Sequence, residues 1–186
     1  MPSFPELAEP FTDGSVIVRL GAERDIPEIL IAYQDDPEMH VRFGEERPPS
    51  GAELGRLAER AEGDRVAGRG LTLTITEPGD DTCRGQINVH HVDWENARAE
   101  LGLWVASTRR GSGLGRRALV LVAGWLLRDR GFQRVQVMTE PGNERMIAAA
   151  RAAGFNFEGV LRGYTRERGA RIDNAVLSLV RGDLAG

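Results

Sequence analysis

The stretch Arg109-Arg110-Gly111-Ser112-Gly113-Leu114-Gly115-Arg116-Arg117 constrains this chain more than any other. An apolar strand precedes it, Ala99-Glu100-Leu101-Gly102-Leu103-Trp104-Val105, and a long apolar helix follows through Leu127. Glycines let the backbone turn tightly and approach a ligand closely. The first N–H groups of a helix have no intrahelical partner, and the helix dipole adds partial positive charge there. A strand, a glycine-rich turn and a helix start therefore make a cradle for phosphate or pyrophosphate.

Which phosphate ligand fits depends on spacing. A nucleoside-triphosphate loop needs Gly-x-x-x-x-Gly-Lys-Ser/Thr. The chain has no lysine, since all 24 of its basic residues are arginine. A dinucleotide loop needs Gly-x-Gly-x-x-Gly, and Gly111, Gly113 and Gly115 are spaced differently. Arg110-x-x-Gly113-x-Gly115 between a strand and a helix instead resembles the signature of the GNAT N-acetyltransferase superfamily, which implies the pyrophosphate of coenzyme A.

Composition narrows the chemistry. At 186 residues with 41% hydrophobic and 28% charged residues, one domain spanning 1–186 is expected, with its core at about 16–181. No apolar run reaches membrane-spanning length, and Met1-Pro2-Ser3-Phe4-Pro5-Glu6 lacks the basic start of a signal peptide, so cytoplasmic residence is expected. Lack of lysine excludes Schiff-base chemistry on a side-chain amine. Cys83 is the sole cysteine, so no internal disulfide or thiolate metal cluster can form. His90 and His91 are adjacent, and on a regular strand they point to opposite faces, so no metal site is expected. A net charge of -4 argues against nucleic acid as a partner and is compatible with a cationic amine.

Patterning predicts the order of elements. Val16–Leu20 is a short strand, and Asp25-Ile26-Pro27-Glu28 starts a helix with an acidic cap and an early proline. Ser50-Gly51-Ala52-Glu53 is a capping box opening a helix through about Glu62. Between them, 35–49 reads as a mobile loop or broken helix, and 63–70 as a loop. Strands follow at Leu71–Thr76, Gly85–Val92 and Ala99–Val105. After the long helix come a strand at Val135–Met138, a helix ending near Ala153, and a hairpin of Val160–Arg166 and Ile172–Val180 turning at 168–170. Only the strands flanking the long helix are required to be parallel.

Several features together resemble the GNAT N-acetyltransferase superfamily, and its ribosomal-protein alpha-N-acetyltransferase-like (RimJ/RimL-type) branch in particular. They are Ala99–Val105, the glycine loop, Asn143, Ala152-Ala153-Gly154-Phe155, Glu158-Gly159-Val160-Leu161-Arg162, Asp173 and Leu177-Ser178-Leu179. The resemblance implies an α/β (α+β) fold: a mixed, mostly antiparallel sheet of about seven strands, a splayed parallel pair, and helices on both faces. It also implies acetyl-CoA as cosubstrate. The pantetheine arm would add beside Leu103, Trp104 and Val105, mainly through backbone. The pyrophosphate would sit on Arg110, Gly111, Ser112, Gly113, Leu114 and Gly115, with Arg116 among the arginines available to phosphate. Asn143 would contact the coenzyme while capping a helix. Where the family often has a serine or tyrosine to protonate the leaving thiolate, this chain has Met146.

Acyl transfer from a thioester requires a neutral amine, so a carboxylate facing the crevice is wanted as base. Glu100 is the candidate. Asn88, His91 and Trp94 are expected to line the acceptor pocket. The acceptor would be a protein N-terminus or a small-molecule amine, and the protein a monomer or homodimer. Two other readings stay open: a different donor such as succinyl-CoA, or a non-catalytic acyl-CoA sensor.

Overall fold

The computed structural model describes residues 3–167 and 169–184. Arg168, expected in the last hairpin turn, lies outside the described residues, as do Met1 and Pro2. The chain runs through β1 (Phe11–Thr12), β2 (Ile17–Leu20), α1 (Ile26–Asp35), α2 (Met39–Arg42), α3 (Gly51–Val66), β3 (Leu71–Glu77), β4 (Asp80–Asp93) and β5 (Arg98–Val105). It continues through α4 (Leu114–Arg128), β6 (Arg134–Thr139), α5 (Glu144–Ala152), β7 (Asn156–Glu167) and β8 (Ala170–Val180).

The strands form one sheet in the order β1-β2-β3-β4-β5-β6-β8-β7. Only β5 and β6 pair in parallel, as the crossover through α4 requires. The expected seven strands become eight because β1, two residues long, carries too little pattern to be read. Two helices also differ from expectation. α3 continues past Glu62 to Val66, running through Gly63. The 35–49 segment contains the single turn α2.

Each face of the sheet is covered differently. Leu73, Ile87, Leu101 and Val137 all point to one face and meet α4 through Leu119, Val122 and Leu126, all of them fully buried. α4 presents Leu114, Ala118, Leu119, Val122 and Leu126 at helical spacing, which is why it packs flat on the sheet. The opposite face holds a smaller cluster of Ile29, Ala32, Tyr33, Met39, Leu54, Cys83 and Trp104. The three helices preceding β3 supply most of it.

A buried ion pair fixes α1 to that second face. Asp25, expected as the α1 cap, makes no side-chain cap bond to the helix. Its carboxylate instead takes both arms of the Arg19 guanidinium, at 2.7 and 3.0 Å. It also accepts from the Thr74 hydroxyl at 2.6 Å and the Ala22 N–H at 3.0 Å. Both partners are buried, Asp25 at 2% exposure. Burial pushes the Asp25 carboxyl up, but the Arg19, Thr74 and Ala22 donors outweigh it and hold it below the usual carboxylate value.

Asp25→Asn removes the buried half of the Arg19 pairing and leaves the exposed Asp81 carboxylate as its counter-charge, so it should cost up to about 3–5 kcal/mol in a urea titration. A carboxyl lowered on folding stabilises above its unfolded pKa of about 3.9 and loses that contribution as pH falls through the folded value. The gap between the native protein and the variant should therefore be full at neutral pH and close in acid.

Candidate active site

β5 and β6 pair at only three positions: Arg98 with Arg134, Ala99 with Val135, and Glu100 with Gln136. Beyond these the two strands diverge. β5 continues to Val105 beside β4, and β6 continues to Thr139 beside β8. The wedge between them leaves strand backbone without a sheet partner, a condition that invites a ligand carrying amides. Leu103, Trp104 and Val105 form its β5 side.

The glycine loop closes the wide end of this wedge. Gly111 and Gly113 adopt φ of +80° and +87°, and Gly113 directly precedes α4. The first bond into the helix runs from the Arg117 N–H to the Gly113 carbonyl. The N–H groups of Leu114, Gly115 and Arg116 therefore have no helical acceptor. Gly115 serves packing: a Cβ there would stand 3.0 Å from Leu103 Cδ1 and 3.4 Å from Val105 Cγ2. Its absence lets α4 sit directly on the wall of the wedge. The Leu114 side chain is core, so only its backbone faces the loop. Ser112 donates its hydroxyl to the Arg109 carbonyl at 2.7 Å.

The loop arginines differ in availability. Arg109 pairs with Glu77, and Arg117 with Asp13. Arg110 bonds the Asp36 carboxylate, and its Nε donates to the Val105 carbonyl at 3.1 Å. Asp36 is also held by Arg42. Arg116 is exposed and joins no ion pair among the described residues. Asn143 caps α5, accepting from the Met146 N–H at 3.3 Å, and donates to the Thr139 hydroxyl at 2.9 Å. That bond ties the α5 start to the end of β6.

Polar residues gather on the face opposite α4. Gln86, Asn88 and His90 on β4 lie across from Trp104, Gly102 and Glu100 on β5. Glu100 is buried at 8% exposure and accepts from Gln136 Nε2 at 3.1 Å. The Asn88 Oδ1 is buried and has no hydrogen-bond partner. His90 lies over Gly102, where a Cβ would come within 3.1 Å of its Nε2. Burial, aided by His91, holds the His90 imidazole below its ordinary value against the pull of Glu100.

The expectation that His90 and His91 face apart is corrected by the structure. The β4–β5 register shifts between His90 and Asp93, and His91 adopts φ of +47°. This turns His91 back to the side of its neighbour: the two Nδ1 atoms are 3.2 Å apart, and His91 Nδ1 is 3.5 Å from Glu100. Left-handed backbone at a residue with a Cβ costs about 1–3 kcal/mol.

Trp94 is not brought to this cluster. Its ring stacks near Phe4 and Phe132, at 5.2 and 4.9 Å between centroids, on the α4 side of the sheet, and its Nε1 donates to the Gly68 carbonyl at 2.8 Å. Cys83 is buried in the α1 cluster, and burial, with the nearby Asp25 charge, pushes its thiol up to about 12. It is no nucleophile at neutral pH.

The structure adds residues that the sequence reading missed. A cavity of about 360 Å³ lies over β6 and β7, lined by Arg134, Gln136, Met138, Glu158, Leu161 and Tyr164 among others, and Gln136 links it to Glu100. The alternation of Arg134, Gln136 and Met138 with the buried Val135 and Val137 was the available signal.

Residues 16–156 match the family described as Acetyltransferase (GNAT) domain. A protein called uncharacterized N-acetyltransferase p20, from Bacillus licheniformis, is 24% identical over 165 residues, spanning 88% of this chain and 92% of that one. Among solved structures, Mycobacterium smegmatis RimJ in complex with CoA-disulfide gives a TM-score of 0.80 at 22% identity, covering 93% of this chain and 85% of its own. Spermidine N-acetyltransferase from Vibrio cholerae, in complex with CoA and spermine, gives 0.77 at 15% identity, covering 92% and 98%. At such identities these structures speak for the fold.

The two loop glycines should fail differently when mutated. Gly113→Ala meets open space, so its cost is the left-handed backbone, about 1–2 kcal/mol. Gly115→Ala presses on Leu103 and should cost about 1–3 kcal/mol through overpacking. Urea titrations of both variants check this.

Proposed function

Because this chain belongs to the GNAT acetyltransferase family, we propose that it transfers the acetyl group of acetyl-CoA directly to a primary amine. The acceptor is a protein N-terminus or a small-molecule amine, and the 1–186 chain acts as one cytoplasmic domain. One observation carries this reading: the wedge between β5 and β6 narrows onto Glu100, a buried carboxylate on the face that holds the unpartnered Asn88 oxygen. A thioester held along Leu103–Val105 would there meet an amine from the other face.

The coenzyme would be held mostly by backbone. The free N–H groups of Leu114, Gly115 and Arg116, with the turn at Gly111–Gly113, would take the pyrophosphate. Arg116 is available at once, whereas Arg110 would first have to leave Asp36. Asn143 would add a contact at the opposite wall. RimJ, similar in fold, is known with bound CoA, which supports this placement.

Glu100 would accept the proton that the amine loses. Gln136 orients the carboxylate by donating to one oxygen. Asn88 Oδ1 offers an acceptor to a second amine N–H, satisfying its own buried lone pair. The neutral amine attacks the thioester carbon, the C–S bond breaks, and the acetyl group leaves on nitrogen. The coenzyme departs as thiolate and takes its proton from water, because Met146 cannot supply one. An α-amine, with pKa ~7.7–8.0, needs little help from Glu100, whereas an alkyl ammonium near ~10.4 depends on it more. The spermidine N-acetyltransferase of similar fold, solved with CoA and spermine, supports the alkyl-amine kind of acceptor.

Glu100→Gln should lower kcat/KM for amine acetylation by about 10²–10⁴-fold while calorimetric affinity for coenzyme A is kept. Gly113→Glu places a carboxylate in the anion cradle and should abolish that affinity. Coenzyme binding without acetyl transfer to any member of an amine panel would instead identify a sensor domain.

A further inference from the structure

We propose that His90, His91 and Glu100 form a site for a borderline transition cation of the Zn²⁺ class. One donor atom from each lies within 4.8 Å of the other two. His90 Nδ1 and His91 Nδ1 are 3.2 Å apart, and His91 Nδ1 is 3.5 Å from Glu100 Oε2. Tetrahedral ligands at about 2.0–2.1 Å from zinc are separated by about 3.3–3.4 Å, so the two edges that meet at His91 match such a site, while His90 comes nearest to Glu100 through its other ring nitrogen, Nε2, at 3.9 Å, and its ring must shift to close the third edge. Two imidazoles and one carboxylate suit zinc, nickel or copper, whereas magnesium prefers six oxygens.

Three independent features of the backbone and its surroundings converge on this arrangement. The left-handed turn at His91 exists only at the bulge that brings the second imidazole to Glu100. Gly102 leaves the space that the His90 ring fills. Gln136 Nε2 donates to Glu100 Oε2, the oxygen nearest His91, an outer contact of the kind that orients a metal-binding carboxylate. His91 is 78% exposed along its side chain, so the fourth position opens to solvent.

The site stands on this geometry alone. Its consequence rests on the acceptor reading above: a cation on Glu100 occupies the carboxylate that the amine needs, so zinc would block acetylation competitively with the amine.

The test is calorimetric titration of the metal-stripped full chain with Zn²⁺, and with Mg²⁺ as the hard-cation control. One Zn²⁺ per chain should bind and Mg²⁺ should not. His90→Ala and His91→Gly should each weaken zinc by about 10-fold or more, at least the scale on which outer-shell contacts change metal affinity. His91→Gly also relieves the left-handed strain, so its melting temperature should rise, separating ligand loss from unfolding. His40→Ala, which removes the one remaining histidine, should leave zinc affinity as it was. Absence of stoichiometric zinc uptake, or uptake unchanged in His90→Ala and His91→Gly, overturns the site. Acetylated product measured by mass spectrometry then tests the consequence. Zinc bound with acetylation undiminished would overturn the acceptor role of Glu100 and leave the metal site standing.

Discussion

The early parting of β5 and β6 is the constraint on which the rest depends. Two parallel strands joined through a helix would ordinarily pair along their length, and here they pair at three positions. α4 takes part in the cause. Its close seat on Leu103 and Val105, permitted by Gly115, holds β5 against the helix, while β6 stays with β8 through six paired positions. Closing the wedge would require breaking one set of contacts or the other. The structure instead keeps unpaired main chain beside a glycine loop with unpaired N–H groups. Two sets of unsatisfied donors and acceptors thus lie along one continuous path, and a long ligand with amides at one end and phosphates at the other satisfies both.

Some of this was legible in the sequence because it depends on local chemistry. Arg110-x-x-Gly113-x-Gly115 announces a tight turn and a helix start, and both are found there, the turn with Gly111 and Gly113 in left-handed backbone. Ser50 and Glu53 form the capping box that their types predict. What escaped depends on long-range geometry. Alternation separates His90 from His91, and only a register shift against β5 reunites them. Trp94 sits in a polar connection, where an exposed pocket wall is expected, but its ring finds Phe4, which is ninety residues away in sequence. Asp25 looked like a cap, yet a buried guanidinium six residues earlier attracts its carboxylate more strongly than exposed helix N–H groups do.

The Arg19–Asp25–Thr74 cluster shows how the polar face is kept in order. A carboxylate and a guanidinium buried together specify one arrangement, since any other leaves a charge unpaired in a poor dielectric. They join β2, the start of α1 and β3, and so fix where α1 crosses the sheet. From α1 the chain leads to Asp36, which bonds Arg110 of the glycine loop. The helices on that face are thereby linked to the glycine loop through a charge that a phosphate bound there would compete for. A phosphate group drawing Arg110 away would release Asp36 to Arg42 alone.

The two faces of the same strands explain why chemistry collects where it does. Ile87 and Val89, Leu101, and Val135 and Val137 turn toward α4 and exclude water. Their neighbours Asn88, His90, Glu100, Gln136 and Met138 must then turn the other way, because strand side chains alternate. That second face is covered by helices only in part, so it retains a cavity while staying dry enough to bury Glu100. A carboxylate with one amide donor and two imidazoles beside it has lone pairs left over, and the Asn88 oxygen has no partner at all. Groups desolvated in this way bind whatever offers protons or positive charge. An ammonium losing its proton and a transition cation both meet that requirement, so the proposed acceptor pocket and the proposed metal site follow from the same packing.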